Sequence, residues 1–176
     1  MKFTLRKMFA AVTVAAVALT LLMYFTKEYR HQLAIRSDLQ AMGAYSVRFG
    51  PSGAIQASFH DPVASPGIAK YREIAVLDFK EARVTTASLD NLSGLERVGV
   101  VYFSLSDVRD EHIPQLKRIG RIQHLSLNNT KVTDACVDAL IDLPDLESVT
   151  TANTLITQSG FDRLRDARPS LKVRTQ

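Results

Sequence analysis

The residues whose side chains could do chemistry are few and lie far apart in the sequence. The four histidines, His31, His60, His112 and His124, have no second histidine or cysteine at metal-ligand spacing, and the sequence contains no HExxH or CxxC motif. Cys136 is the single cysteine, and no base stands close to it in sequence, so a packing role is favoured over a nucleophilic one. These observations predict no catalytic residue, no metal site and no small-molecule cofactor.

Two carboxylates at helical spacing, Asp134 and Asp138, could form an acid–base pair. Simpler roles account for both, because Thr133 or Asp134 can cap a helix that begins there and Asp138 can lie on the solvated face of that helix. The chain is therefore not expected to be an enzyme. An enzyme of unrecognised type stays as a remote alternative, since a repeated face can assemble residues that are distant in sequence.

The elements that would position these side chains follow a 24-residue register. Six apolar columns recur at this step: Ile74, Val98, Ile122 and Leu146; Leu77, Val101, Leu125 and Val149; Val84, Val108, Val132 and Ile156; Leu89, Ile113, Val137 and Phe161; Leu92, Leu116, Leu140 and Leu164; Leu95, Ile119, Leu143 and Ala167. A fixed period between about 20 and 50 residues is typical of a stacked repeat array. We therefore predict an α/β fold in which residues 73–176 form a short solenoid of about four strand–turn–helix repeats.

One face of the predicted strands would be available to a ligand. Stacked strands are about 4.8 Å apart whereas helices are about 10 Å wide, so the stack should curve with its strands on the concave side. The candidate binding residues on that side are Asp78, Val100, Tyr102, His124, Ser126, Asn128 and Thr150. Tyr102 is the best candidate anchor, because tyrosine offers apolar area together with a hydroxyl group. A merely solvated strand face is the simpler interpretation of the same residues, and a ligand-contact surface is the more specific one.

The central copy of the register carries a family resemblance. The stretch from Ile122 to Leu146 reads I-x-x-L-x-L-x-x-T-x-V-T-D-x-C-V-x-x-L-x-x-L-P-x-L and resembles a leucine-rich repeat, with a V-T-D continuation similar to the cysteine-containing subtype. The resemblance covers roughly residues 74–173. The column that usually holds Asn or Cys contains Ala82, Ser106, Thr130 and Thr154. The hydroxyl groups in this column can bond the buried backbone, whereas Ala82 cannot.

The N-terminal region indicates a membrane segment. Residues 8–25 are free of charge, follow a basic tail of residues 1–7, and would extend about 27 Å as a helix, close to the thickness of the hydrocarbon layer. We favour an uncleaved transmembrane signal anchor in contact with the lipid bilayer. A cleaved signal peptide ending at the small-x-small sequence Ala16-Val17-Ala18 is the alternative. The free amino group favours a cytoplasmic N-terminus, which would place the repeat domain on the extracytoplasmic, periplasmic side.

Residues 26–72 are predicted to cap the repeat stack. Residues 26–42 suit an amphipathic helix that stops at Gly43, and the alternating runs 45–49 and 55–59 flank Gly50-Pro51-Ser52-Gly53 as a β-hairpin. No Lys-Ser/Thr follows this glycine-containing turn, so a turn is favoured over a phosphate loop. Residues 60–72 hold Pro62 and Pro66 and read as a connector.

Charge composition argues against a nucleic-acid partner. The chain has 22 Lys and Arg against 18 Asp and Glu, but three of the cations precede residue 26, which leaves 19 basic against 18 acidic residues. The layout as a whole is similar to small bacterial membrane-anchored leucine-rich repeat proteins, which implies a scaffold that binds an unidentified protein or other macromolecular partner. A self-associating structural envelope protein is the alternative, and Ala11-x-x-x-Ala15 would allow close helix packing in that case.

Overall fold

The computed structural model describes residues 5–60 and 67–175. Residues 1–4 of the predicted basic tail, residues 61–66 of the predicted connector with its two prolines, and Gln176 lie outside the described residues. The chain divides into two compact units, Met1–Ser37 and Asp38–Gln176.

The first unit is helical. Helix α1 (Leu5–Ala41) is continuous through the predicted membrane segment and the predicted amphipathic segment, and the chain leaves the helix through Gly43 at φ 93°. A left-handed glycine just past the last turn is a common helix ending. Among the described residues, α1 is the one helix that is long and apolar enough to cross a membrane, and none of its most apolar window is buried. Val12, for example, is 65% exposed.

The second unit is built on one seven-stranded sheet in which neighbours in space are also neighbours in sequence. Its strands are β1 (Ala44–Phe49), β2 (Ile55–Phe59), β3 (Glu73–Asp78), β4 (Arg97–Tyr102), β5 (Arg121–Ser126), β6 (Ser148–Thr150) and β7 (Lys172–Arg174). Strands β1 and β2 are antiparallel, which confirms the predicted hairpin, and its turn is closed by Gly53 N–H donating to the Gly50 carbonyl at 2.9 Å. Every later neighbour pairs in parallel. The α/β class is therefore confirmed.

The parallel strands pair in the register that the sequence predicts. Leu77 pairs with Val101, Val101 with Leu125, Leu125 with Val149, and Val149 with Val173, so each partner lies one full period of the register further along the chain. The step from β2 to β3 is shorter, because Ala57 pairs with Leu77. Pairing at one constant offset keeps every inward side chain on the same face of the sheet. A slip of one residue would turn all side chains of that strand to the opposite face.

Short helical segments follow each of the strands from β3 to β6. They are α2 (Thr86–Asp90), a 3-10 helix Asp110–Ile119, a 3-10 turn Asp134–Cys136 that leads into α3 (Val137–Ile141), and α4 (Gln158–Ala167). The second segment is a 3-10 helix rather than the expected α-helix and contains Pro114, which has no N–H to donate to a helical hydrogen bond. Of the two predicted caps, Thr133 is the N-cap and accepts from the Ala135 N–H at 3.2 Å, whereas Asp134 binds elsewhere.

The core lies between the sheet and these helical segments. With one exception, every member of the six apolar columns is buried, with at most 8% of its surface exposed. The exception is Ala167, which is exposed at the end of α4. The sequence had placed it in the core, and that assignment is wrong.

A hydroxyl group stabilises the turn after each of β4, β5 and β6. Ser106, Thr130 and Thr154 donate to the carbonyls of the residues three positions earlier, at 2.6, 2.6 and 2.9 Å. This confirms the role predicted for the column, because a buried carbonyl without a partner would be costly. Ala82 occupies the same column without a hydroxyl and is 2% exposed.

A stack of aromatic rings runs through the core beside the hairpin. The rings of Phe59, Phe79 and Phe103 are fully buried and stack with centroid separations of 5.7 and 5.4 Å. The stack joins the hairpin to β3 and β4, because Phe59 ends β2 and the other two rings follow the ends of β3 and β4. Leu127 takes the next position of the same column and is also fully buried.

Candidate ligand-binding strand face

Two rows of side chains lie side by side across the paired strands, and we call them together the strand face. The first row is Gln56, Val76, Val100, His124, Ser148 and Lys172, and the second is Ser58, Asp78, Tyr102, Ser126, Thr150 and Arg174. Neighbours within a row are separated by one strand spacing of about 4.8 Å. The strand face therefore presents a nearly continuous surface from β2 to β7.

Six of the seven predicted binding residues lie on the strand face, but with different exposure. Tyr102 is the most accessible, with 41% of its surface exposed, whereas Asp78, Val100, His124 and Thr150 are half-buried. Ser126 is 5% exposed. Among the predicted residues, Tyr102 therefore offers the largest exposed fraction to a ligand.

Asn128 does not belong to the strand face. It lies in the turn that follows β5, and its Oδ1 accepts the backbone N–H of Ala152 at 2.9 Å. Its own carbonyl accepts the N–H of Leu105. The side chain thus joins neighbouring turns.

Hydroxyl groups connect the middle strands. Ser126 Oγ lies 2.9 Å from Ser104 Oγ and accepts a hydrogen bond from Thr150 Oγ1 at 2.9 Å. His124 Nδ1 lies 2.8 Å from Ser148 Oγ, with the direction of donation set by the histidine tautomer. Hydroxyl groups can both donate and accept, so this network can redirect a donor toward a ligand.

Tyr102 separates two clefts on the strand face. The C-terminal cleft has a volume of about 320 Å³ and extends from Tyr102 to β7, where it is lined by Lys172 and Arg174 together with His124, Ser148 and Thr150. The hairpin cleft has a volume of about 450 Å³ and extends from Tyr102 to β1, where Arg48 and Asp78 line it. One exposed aromatic ring thus borders both cavities.

A third cleft lies at the other ends of the strands and was not predicted. It has a volume of about 580 Å³, and the small residues Ala75 and Gly99 form part of its lining. A Cβ atom at Gly99 would lie 2.6 Å from the Ala75 carbonyl oxygen, so this position requires glycine. The side chain of Gln123 borders the cleft. It accepts a hydrogen bond from Arg97 at 3.3 Å and donates one to Glu147 at 3.2 Å.

The sequence reasoning placed Ser148 in the column of Val100 and His124 but did not assign Lys172 and Arg174 to the strand face. The signal was available, since stepping along the register from His124 leads to Ser148 and then Lys172, and two such steps from Ser126 lead to Arg174. The pairing of Lys172 with Ser148 and of Arg174 with Thr150 therefore places both cations on the strand face.

The remaining reactive side chains have structural surroundings. Cys136 is fully buried, and desolvation is the main reason that its pKa rises to about 12. The thiolate, which is the nucleophilic form, is therefore disfavoured. His112 is 6% exposed, and its Nδ1 accepts a hydrogen bond from the Arg109 N–H at 3.0 Å. The His60 ring stacks on the Tyr45 ring with a centroid separation of 4.1 Å. Within the part of the chain that the structure describes, no three His, Cys, Asp or Glu side chains are grouped to hold a metal.

No protein-family model matches this sequence, and no curated protein matches it either. The residues of the strand face themselves therefore indicate which ligands it can bind. An exposed tyrosine, a row of hydroxyl groups and the cations of β7 suit noncovalent binding of a ligand that offers apolar surface and hydrogen-bond acceptors.

Proposed function

We propose that this chain is a single-pass membrane protein that displays a leucine-rich repeat solenoid, residues 73–176, and binds a protein partner on its strand face. Three observations support the repeat family: the constant offset at which β3 to β7 pair, the buried apolar columns, and the hydroxyl-to-carbonyl bonds in successive turns. The proposed curvature, with the strands on the inner side, follows from strands being packed more closely than helices.

The observation that carries the binding proposal is the position of Tyr102. Its ring is 41% exposed and borders the two clefts of the strand face. Tyrosine is enriched at the energetic centres of protein interfaces, because it buries a large apolar area at a small entropic cost and its hydroxyl group can hydrogen-bond. We therefore place the partner across Tyr102.

Site-specific photo-crosslinking of the full-length protein in cells of its source tests this proposal. A photoreactive phenylalanine analogue at position 102 should yield a crosslinked product containing a second protein. The same analogue at Asp162, which is exposed on α4, is the matched control and should yield none. Equal crosslinking at the two positions, or none at position 102, would contradict the proposal. A product of twice the chain mass would instead support the self-associating structural alternative.

The membrane part of the proposal is an uncleaved anchor at residues 8–25 with the repeat domain on the extracytoplasmic side. The uncharged, unburied stretch of α1 supports a segment that lies in lipid. Alkaline carbonate extraction followed by intact-mass measurement should find the full-length chain in the membrane pellet, whereas a chain shortened after Ala18 would support the signal peptide. Added protease should remove a C-terminal tag from spheroplasts without lysis.

A further inference from the structure

We propose that the C-terminal cleft binds an acidic segment of the partner, with Lys172 and Arg174 pairing to its carboxylates. This inference rests on the proposed function and deepens it by naming the chemistry of the partner. It is carried by the charges that line the cleft, by the hydroxyl groups beside them, and by the distance from Tyr102 to β7.

The two cations of β7 are available to a ligand. Lys172 and Arg174 stand two residues apart in one strand, so their side chains point to the same face of the sheet. Both are exposed and line the cleft. Neither side chain forms a hydrogen bond or an ion pair with any residue that the structure describes, whereas Lys117 and Arg118 on the helical side each pair with an aspartate. A cationic pair without an internal partner is a site for an anion.

The acid that lines the same cleft does not neutralise this pair. Glu147 accepts a hydrogen bond from Gln123 Nε2 at 3.2 Å, and its carboxylate has no ion pair with either cation of β7. The cleft therefore holds two cations against one acid that is already hydrogen-bonded. Its field favours an incoming carboxylate over an incoming ammonium group.

The neighbouring hydroxyl groups complete the site. Ser148 pairs with Lys172 and Thr150 pairs with Arg174 across the β6–β7 ladder, so each cation has a hydroxyl group one strand away. A carboxylate accepts hydrogen bonds only, and Lys172, Arg174 and the Ser148 hydroxyl can supply donors to it, whereas the Thr150 hydroxyl already donates to Ser126 Oγ. Ser148 Oγ also lies 2.8 Å from His124 Nδ1, so a histidine that donates there would leave the serine hydroxyl free to donate to the ligand.

The dimensions of the cleft fit a short extended peptide. Tyr102 in β4 and Arg174 in β7 are separated by three strand spacings, which is roughly 14 Å. An extended chain covers this distance with about four residues, at about 3.4 Å per residue. The expected occupant thus carries an apolar or aromatic residue over Tyr102 and acidic residues about three or four positions away.

The double substitution Lys172→Gln with Arg174→Gln in the full-length, detergent-solubilised protein tests this inference. The probe is a fluorescein-labelled hexaglutamate peptide measured by fluorescence anisotropy, with hexalysine as the opposite-charge probe. We expect wild type to bind hexaglutamate only, and the double substitution to weaken binding about tenfold, roughly threefold for each exposed charge removed. Lys131→Gln, which removes an exposed cation outside the cleft, should leave the affinity unchanged.

Three results would overturn the inference. They are absence of hexaglutamate binding to wild type, equal weakening by Lys131→Gln, and displacement of hexaglutamate by inorganic phosphate but not by acetate at the same ionic strength, which would identify a phosphate site. Crosslinking at position 102 tests the proposed function separately. If the crosslinking yield at position 102 is undiminished in the double substitution, the partner binds without the β7 cations, so this inference fails while the proposed function stands. If wild type gives no crosslink at position 102, the proposed function fails.

One alternative role of the two cations is protection of the β7 edge against pairing with another chain. Sedimentation velocity of the double substitution distinguishes this role. Unchanged hexaglutamate affinity together with new self-association would assign the cations to edge protection and overturn the binding inference. Weakened hexaglutamate binding at an unchanged sedimentation coefficient would support it.

Discussion

The carboxylate of Asp134 binds both the backbone N–H and the side-chain hydroxyl of Thr157, at 2.7 and 2.6 Å, although the two residues belong to different repeats. Asp110 makes the same two bonds to Thr133, each at 2.7 Å. In both pairs the threonine is the N-cap of the next helical segment, so the aspartate of one segment fixes the start of the following one. These pairs connect the helical segments of neighbouring repeats.

Replacing Asp134 with Asn should lower the stability of the domain at neutral pH and lower it less at pH 3. Hydrogen bonds from Thr157 hold the pKa of the Asp134 carboxyl below its ordinary value of 3.8. The ionised carboxylate therefore stabilises the fold above pH 3.8, and this contribution is lost as the pH falls through the lower, folded-state pKa. Urea denaturation of wild type and D134N at pH 7 and at pH 3 measures the difference.

Asp138→Asn provides the control for Asp134→Asn. The Asp138 side chain is 80% exposed and lies 3.7 Å from Arg163, so the same chemical change should have little effect on stability. A urea midpoint for D134N that equals the wild-type value at pH 7 would contradict the stabilising role of the Asp134–Thr157 pair.

Replacing Leu105 with Asn should stabilise the domain. Glu81, Leu105, Asn129 and Asn153 occupy equivalent turn positions and all have positive φ, between 55° and 62°. Asparagine tolerates this left-handed backbone, whereas leucine is strained there by about 1 kcal/mol. Leu105 is 48% exposed, so little apolar burial is lost by the change. We expect the free energy of unfolding to rise by about 1 kcal/mol, measured by urea denaturation.

Leu155→Asn separates the effect of relieving backbone strain from the effect of removing an exposed apolar side chain. Leu155 is also exposed, at 63%, but is not among the residues with positive φ. L155N should therefore leave stability nearly unchanged. Equal effects of L105N and L155N would attribute any gain to the loss of exposed apolar surface and would contradict the strain argument.

The sequence predicted the strands and the core because both depend on a simple period. Leu125 and Val149, for example, are apolar, occupy the same column of the register, and pair in the sheet. The hairpin was equally readable, since two alternating runs flank a glycine-containing turn. These features are set by local pattern and burial, which a single sequence contains.

Features that depend on contacts between segments could not be predicted from the sequence. The role of Asp134 was interpreted within its own helical turn, whereas its partner is Thr157 in the next segment. Asn128 was placed on the strand face, but its carboxamide reaches the backbone of Ala152. The stack of Phe59 on Phe79 escaped notice because the offset between β2 and β3 is shorter than the period of the later strands. In each case the decisive geometry lies between elements and leaves no local pattern.

Truncating Leu127 to alanine should destabilise the domain by about 2 to 5 kcal/mol, because it removes a fully buried side chain and leaves a cavity in a packed core. Leu127 continues the column of the phenylalanine stack, one period after Phe103. Urea denaturation measures the loss, and the exposed Leu155→Ala is the size-matched control with an expected effect below about 0.5 kcal/mol. A midpoint for L127A within error of L155A would contradict the assigned register.

Cys136 should resist alkylation in the folded protein. The side chain is fully buried, and desolvation together with the nearby carboxylates of Asp110 and Asp134 raises the pKa of its thiol to about 12. A thiol with an ordinary pKa near 8.5 is partly ionised at pH 8, whereas this one remains protonated and shielded. We expect iodoacetamide at pH 8 to modify Cys136 only as fast as the domain opens, and within minutes in 8 M urea, as followed by intact mass. Cys136→Ala, which has no thiol, is the non-reactive control. Modification of the native protein at the rate of a free cysteine peptide would show that the thiol is accessible and would remove the packing role assigned to it.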